Sequence, residues 1–372
     1  MRKTILLAAC SLILGSSARA AEVAGTVVRL LEPLKLIGAA DWGKDGYFRL
    51  KWTHNAPERF LGVDVLPDRR QVWVASAGYP AEDIKITVLD AHGETAERTK
   101  LHTGFKSFKL LDMGKKDPLV IVWDDHQLRC FDKAGSLKWD FSPPKSSPSG
   151  YAVVGQSAGG PLLVASYQYG EAGLRAVGAE GKQAWQAPEV PRAGWVSTAQ
   201  LDGRTLIAAT DGVGKTYLTD LKGRIVERIT SEGNSDRVLF DGSNRKDQRM
   251  YVLDSGFDSW RQKISVAHST GAVKKEGSRW EGFPSEDLGR ITVTAYALGD
   301  FDGPGRRQPV VGTDNGWVLL LDQAGKIVSE TRLRGKISYL GALDLSGDGK
   351  DELVVGVEGY SGNVLVFTRP TP

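Results

Sequence analysis

The chain has 372 residues, of which 41% are hydrophobic and 25% charged, with 48 basic and 45 acidic side chains for a formal net charge of +3. This composition excludes an unfolded, low-complexity chain, and so small a positive balance gives no cationic footprint for nucleic acid. Two cysteines exclude a disulfide-stapled scaffold.

The N-terminus reads as a targeting segment. Arg2 and Lys3 are basic, Thr4 to Leu14 is apolar, and Ala18-Arg19-Ala20 is a small-x-small cleavage site. Residues 1–20 are therefore expected to be a signal peptide cut after Ala20, with residues 21–372 a single exported domain, periplasmic or secreted. Leu7-Ala8-Ala9-Cys10 has the form of a lipoprotein box, so lipidation of Cys10 is the alternative. The apolar run is shorter than the about 20 residues of a membrane span, and no transmembrane segment is expected. Cleavage removes Arg2, Lys3 and Arg19 and no acid, leaving 45 bases facing 45 acids. Cys130, in LRCFD, then stands alone and reads as a small buried hydrophobe. The absence of C-x-x-C-H excludes covalently attached haem.

Beyond the signal, residues 25–31 read as a lone strand and residues 34–52 as a hairpin. Short apolar runs of high β-propensity follow at 71–78, 118–126, 161–170, 205–212, 249–256, 308–316 and 352–362, each ending in a Gly, Asp, Asn or His turn. A second strand follows each run and leads into D-x-x-G or a degraded form of it. These turns end at Gly93, Gly135, Gly181, Gly223, Gly271 and Gly325, at intervals of 42, 46, 42, 48 and 54 residues. A period in the forties built of β-hairpins predicts propeller blades. The expected fold class is all-β, a β-propeller of seven blades. Eight is the alternative if residues 34–52 form an irregular blade of their own. The seventh copy, GNVLVFTRP, has no closing strand after it, and residues 25–31 are expected to complete that blade and remove the open edge.

Two of the turns are followed by a tryptophan at one spacing, Gly135 to Trp139 and Gly181 to Trp185. Most of the 10 tryptophans are expected to wedge blades together. Trp42, Trp195 and Trp260, in Gly-, Asp- and Ser-rich surroundings, are the candidates for exposed contact with a sugar face or a protein.

The last repeat carries the chemistry. In Asp344-Leu-Ser346-Gly-Asp348-Gly-Lys350-Asp-Glu352, side-chain oxygens from Asp344, Ser346, Asp348 and Glu352 and the carbonyl of Lys350 have the spacing of an oxygen-ligated hard cation. One calcium is expected there, as a structural staple. The other copies are degraded. Asp300 and Asp302 are followed by Pro304 and Gln308, Asp41 and Asp45 by Arg49, and Asp241 and Ser243 by Arg245 and Arg249. Arg–Asp pairs are expected to hold those turns in place of an ion.

The stretch GALDLSGDGKDELVVGVEG resembles an FG-GAP or VCBS-type propeller repeat, and the D-x-x-G strands with a later tryptophan are similar to PQQ-like repeats. The first resemblance implies a calcium loop. Both imply a β-propeller, and the missing catalytic constellation, the balanced charge and the single ion loop favour a non-catalytic scaffold that binds a protein or assembles an envelope complex. A lectin-like propeller with a glycan partner is the alternative. A quinoprotein oxidoreductase ranks last, because the adjacent cysteine pair common in those enzymes is missing. Trp123-Asp124-Asp125-His126 reads as a solvated turn, and His54, His92, His102 and His268 lack zinc-ligand spacing. No catalytic residue is assigned.

Overall fold

The computed structural model describes residues 47–370 except 57–58, 78–83, 104–106, 115, 124–126, 144–147, 155–159, 168–171, 192, 212, 231–234, 243, 245, 255–261, 270–279, 290–291 and 359–362. Residues 41–372 form one compact unit, and residues 1–40 are a separate unit outside the described residues. The described residues contain strands and one 3-10 turn, Pro67–Arg69.

The first strand, β1, is Arg49–Asn55. Blade 1 comprises β2 Arg59–Leu66, β3 Gln71–Ala77, β4 Ile84–Leu89 and β5 Thr95–Leu101. Blade 2 comprises β6 Ser107–Leu111, β7 Leu119–Trp123, β8 Leu128–Phe131 and β9 Leu137–Phe141. Blade 3 has β10 Pro148–Val154, β11 Leu162–Tyr167, β12 Gly173–Gly178 and β13 Gln183–Ala187. Blade 4 has β14 Trp195–Leu201, β15 Arg204–Thr210, β16 Lys215–Thr219 and β17 Ile225–Thr230. Blade 5 has β18 Ser235–Asp241, β19 Arg249–Asp254, β20 Gln262–Ser269 and β21 Trp280–Gly289. Blade 6 has β22 Val293–Gly299, β23 Gln308–Thr313, β24 Trp317–Leu321 and β25 Ile327–Arg332. Blade 7 has β26 Lys336–Leu343, β27 Glu352–Glu358 and β28 Asn363–Thr368, with β1 as its fourth strand. All seven sheets are antiparallel and four-stranded, which makes the protein a seven-bladed β-propeller.

The last blade is closed from the N-terminal side, but by residues 49–55 and not by residues 25–31. The pairing runs from Arg49 opposite Thr368 to Asn55 opposite Asn363, so β1 takes the whole free edge of β28. Residues 25–31 lie outside the described residues. A register shift between Leu50 and Trp52 makes Lys51 a bulge residue. The extra residue turns Leu50 and Trp52, two positions apart, to opposite faces of the sheet. Leu50 packs in the layer shared with blade 6, and Trp52 in the layer shared with blade 1.

The core consists of seven apolar layers, each between two neighbouring blades. Between blades 2 and 3, for example, Ile121 and Cys130 meet Leu163 and Tyr167. Burial pushes the Cys130 thiol up to about 12, which leaves it a protonated packing group.

The D-x-x-G turns join the third and outer strands of the blades. In each described copy the glycine has positive φ, 80° at Gly93, 88° at Gly135, 76° at Gly181, 81° at Gly223 and 86° at Gly325. The third strand ends in a register shift, as between Val88 and Leu89 or between Leu218 and Thr219. The leading aspartate caps its own turn. Asp90 Oδ1 accepts the amides of His92 at 2.8 Å and Glu94 at 2.9 Å, and Asp220 Oδ1 those of Lys222 and Arg224. In blade 3 Gly178 stands where the aspartate would be, and backbone bonds alone keep the shape. The copy at Gly271 lies outside the described residues.

Three tryptophans lock neighbouring blades through these turns. Nε1 of Trp52, Trp139 and Trp185, each on an outer strand, donates to the carbonyl of Ala91, Ala179 and Leu221 in the next blade's turn, at 3.1, 2.7 and 2.8 Å. Each ring lies flat against the turn glycine, so a Cβ at Gly181 would come within 2.5 Å of Trp139 Cγ. The glycine is needed twice, for its φ and for the ring.

Gly181→Ala is therefore expected to cost about 1–3 kcal/mol more than Gly305→Ala, by overpacking. Gly305 shares its φ, at +78°, but has nothing within 4 Å, so urea unfolding of the two variants isolates the contribution of the ring. Partial burial opposes ionisation of Asp90, Asp132 and Asp220, yet the turn amides outweigh it and hold these carboxyls below their ordinary 3.8. Such a group stabilises the fold fully above the unfolded value and loses that contribution as pH falls through the lower folded value. The thermal midpoint should decline below pH 3.8 in wild type, and less steeply in the triple Asp→Asn variant.

Candidate functional site

The first strands of the blades line the axis of the ring. Where they begin, they enclose a cavity of about 460 Å3 to which all seven blades contribute, together with Trp123 at the end of β7 and Glu358 at the end of β27. Five of these inner strands carry a register shift near their start, at Phe60/Gly62, Pro148/Gly150, Ser235/Arg237, Val293/Ala295 and Ile337/Tyr339. A bulge at a barrel rim re-aims the side chains that follow. Hydroxyls at three of the bulges hold them in place. Ser149 Oγ donates to Ala193 O at 2.6 Å, Ser338 Oγ to Gly356 O at 3.4 Å, and Thr294 Oγ1 to Ile337 O in the next blade.

The wall so formed is aromatic and charged. Lys109 pairs with Asp64 at 3.2 Å and lies over the Tyr339 ring at 5.3 Å, while Asp64 Oδ2 accepts the Leu110 amide at 2.8 Å. Tyr151 meets Trp123 edge-on with centroids 5.0 Å apart, and its hydroxyl lies 2.9 Å from Ser107 Oγ. On the other side Trp195 and Tyr296 meet at a tilt of 51° with centroids 5.1 Å apart, and the Arg237 guanidinium lies 5.0 Å from the indole centroid and 5.7 Å from the phenol ring. Burial raises the pKa of Tyr151, Tyr296 and Tyr339, so the three phenols stay neutral. The arrangement is suited to holding a ligand by rings and donors.

Of the three tryptophans expected to be exposed, Trp195 lies in this cavity, half-buried, while Trp42 and Trp260 fall outside the described residues. Trp123 also lines it, and Asp124, Asp125 and His126 lie outside the described residues. Arg237, Tyr151, Tyr296, Tyr339 and Lys109 went unnoticed in the sequence. A usable signal was the aromatic recurring near the start of the first strand in four of the repeats, in GYA, GWV, TAY and SYL.

The 344–352 loop joins β26 to β27 on the opposite face. Asp344 Oδ1 accepts the amides of Gly347 and Asp348, the latter at 3.1 Å, and its Oδ2 accepts that of Gly349 at 3.0 Å. Asp348 Oδ1 accepts the Lys350 amide at 2.9 Å. Glu352, 2% exposed, accepts the Leu345 amide at 2.8 Å, the Ser346 hydroxyl, and the Lys51 ammonium at 2.7 Å. Lys51 Nζ also reaches Ser346 Oγ at 2.8 Å. Two of the five expected calcium ligands, Ser346 and Glu352, are thus already joined to an internal cation from the bulge of β1. The Arg70 guanidinium rests on Gly347, 2.5 Å from where its Cβ would be. Among the described residues no group of three His, Cys, Asp or Glu has metal-holding geometry.

The degraded loops hold charge pairs. Asp300 pairs with Arg307 at 3.4 Å, Asp302 with Arg369 at 2.7 Å, and Arg249 with Asp247. The copy at residues 41–46 lies outside the described residues. Asp351 is buried beside Asp300, which together raise its pKa despite the Asp300 amide it accepts at 2.8 Å.

No protein-family model and no curated protein matches the chain. Among solved structures it is similar to BBS1N in complex with ARL6DN, at 12% identity over 87% of this chain and 97% of that one, with a TM-score of 0.60. The β-propeller domain of Myceliophteria thermophila Cps50 (Swd1) gives 12%, 87% and 100%, with a TM-score of 0.61. The WD40 domain of Neurospora crassa Pan2 gives 10%, 87% and 96%, with a TM-score of 0.57. At this identity the likeness shows the β-propeller fold and nothing more. No described helix is long and apolar enough to cross a membrane.

Removing the internal cation tests the loop. Lys51→Met is expected to lower stability by up to about 3 kcal/mol, the low end for a broken buried pair because Lys51 keeps some solvent. Calcium at about 1 mM should restore part of that loss in the variant and do little for wild type. Equal gains in thermal midpoint in both would show that ammonium and calcium do not compete.

Proposed function

We propose that this chain is an exported, non-catalytic propeller scaffold that docks a protein partner on the face where the inner strands begin. The observation that carries the reading is the cavity wall. It gathers Trp123, Trp195, Tyr151, Tyr296, Tyr339 and Arg237 at the centre of one face, and Trp, Tyr and Arg are the residues that dominate binding hot spots. The similarity to BBS1N, solved in complex with ARL6DN, supports the use of such a fold for holding a protein. The signal-like residues 1–20 support periplasmic or secreted placement.

The repeat type is read as FG-GAP or VCBS-like in the last blade and PQQ-like elsewhere. Residues 341–359 and the turn-docked tryptophans Trp52, Trp139 and Trp185 support it. A structural calcium at Asp344, Ser346, Asp348, the Lys350 carbonyl and Glu352 belongs to the same proposal, in competition with Lys51. The aromatic lining favours a glycan ligand as the second reading, since rings stack on sugar faces.

Immobilised wild-type protein should retain a specific protein from an envelope extract, and Trp195→Ala should lose it while Asp348→Ala on the opposite face keeps it. Retention that ignores Trp195→Ala defeats the placement. Binding on a glycan array with no protein retained moves the function to the second reading. N-terminal sequencing of the exported form should begin at Ala21.

A further inference from the structure

The cavity wall contains a local mismatch of donors and acceptors. Nη1 of Arg237 is shut off from solvent with no hydrogen-bond partner, and Nε1 of Trp195 and the hydroxyl of Tyr296 interact with each other without making a hydrogen bond of good geometry. Buried polar atoms are paired in nine cases out of ten or more, at about 90%. These three belong to adjacent blades 4, 5 and 6 and lie in one cluster, with the guanidinium within 5.7 Å of both ring centroids. All three residues line the cavity.

The charges of the wall make the mismatch specific. Lys109 is neutralised by Asp64 at 3.2 Å, and Glu358 at the rim is paired with Lys336 at 3.2 Å. Arg237 makes ring contacts only, with no carboxylate beside it among the described residues. The guanidinium is partly exposed and one shielded nitrogen is left unsatisfied, which an anion entering the cavity would satisfy. A guanidinium and an indole N–H donate and accept nothing, and the neutral Tyr296 phenol can add a third donor. One free positive charge suits a monoanion better than a phosphate dianion. A planar carboxylate fits the guanidinium fork and can lie against the flanking rings.

We propose that Arg237, Trp195 and Tyr296 form a seat for a carboxylate, carried either by a small organic acid or by a peptide. The proposal deepens the scaffold reading and rests on it only in using the same cavity. Arg237 takes the carboxylate oxygens, Trp195 and Tyr296 supply the remaining donors, and the aromatic wall holds the apolar part of the ligand.

The test uses the whole protein and a panel of probes. N-acetyl amino acids are compared with their primary amides for the small-acid source. Blocked tripeptides with a free C-terminus are compared with their C-terminal amides for the peptide source. Binding is followed by calorimetry and by tryptophan emission. At least one carboxylate is expected to bind ten-fold or more tightly than its amide. Arg237→Gln should abolish that preference and Arg237→Lys should keep part of it. Binding by the N-acetyl acids indicates a small-acid source, and binding by the tripeptides alone a peptide source. Arg237→Gln should also melt close to wild type, because the partly exposed guanidinium has no carboxylate beside it among the described residues.

Equal binding of acids and amides, or no binding across the panel, overturns the proposal. So does a large drop in the melting temperature of Arg237→Gln, which would make the guanidinium a packing element. A partner protein retained equally by wild type and Arg237→Gln would end this proposal and leave the scaffold reading standing.

Discussion

Closure of the ring is the constraint on which everything else depends. The apolar layers lie between blades, so a sheet is covered on both faces only if it has a neighbour on each side. Six layers follow from stacking blades in order, and the seventh exists only because blade 7 meets blade 1. That blade is also the one whose fourth strand comes from the other end of the chain, through the pairing of β1 with β28. The bulge at Lys51 lets this single strand serve both layers, with Leu50 on one side and Trp52 on the other. Edge removal and core completion are thus one event.

The two faces of the disc are built on different principles. On the face with the D-x-x-G turns and the 344–352 loop, polar atoms are consumed locally. Aspartates cap their turns, tryptophan N–H groups reach the carbonyls of the next blade, and Arg69 pairs with Asp117 of blade 2 at 3.2 Å. On the face where the inner strands begin, bulges and neutral phenols surround a cavity in which Nη1 of Arg237 is left unsatisfied. The first face binds the protein to itself. The second has the capacity to bind something else.

The parts legible in the sequence are those that repeat with a fixed local chemistry. The D-x-x-G turn could be read because it demands a capping carboxylate and a positive-φ glycine at fixed spacing, and Asp90 to Gly93 does this as Asp322 to Gly325 does. The blade count followed from that period. The closing strand was misplaced because residues 25–31 are more apolar than residues 49–55, and nothing local reports which one reaches β28. The calcium ligands were read from spacing within one loop. Lys51, which joins two of them, lies 301 residues from Glu352, and no local pattern encodes such a contact. The cavity was the least legible part. Its wall takes a few residues from each repeat, from Arg237 alone in blade 5 to four in blade 2, and they converge only through the seven-fold arrangement.

Blade 7 also sets the timing of assembly. Its outer strand, β1, is synthesised before blades 1 to 6 and its other three strands after them. No truncated or partly emerged chain can finish the sheet, however many earlier blades have formed. Contacts spanning some 300 residues are the slowest kind to form. The growing chain therefore carries an open β-edge and two uncovered apolar faces until β26 to β28 are made, a form that needs protection from premature pairing.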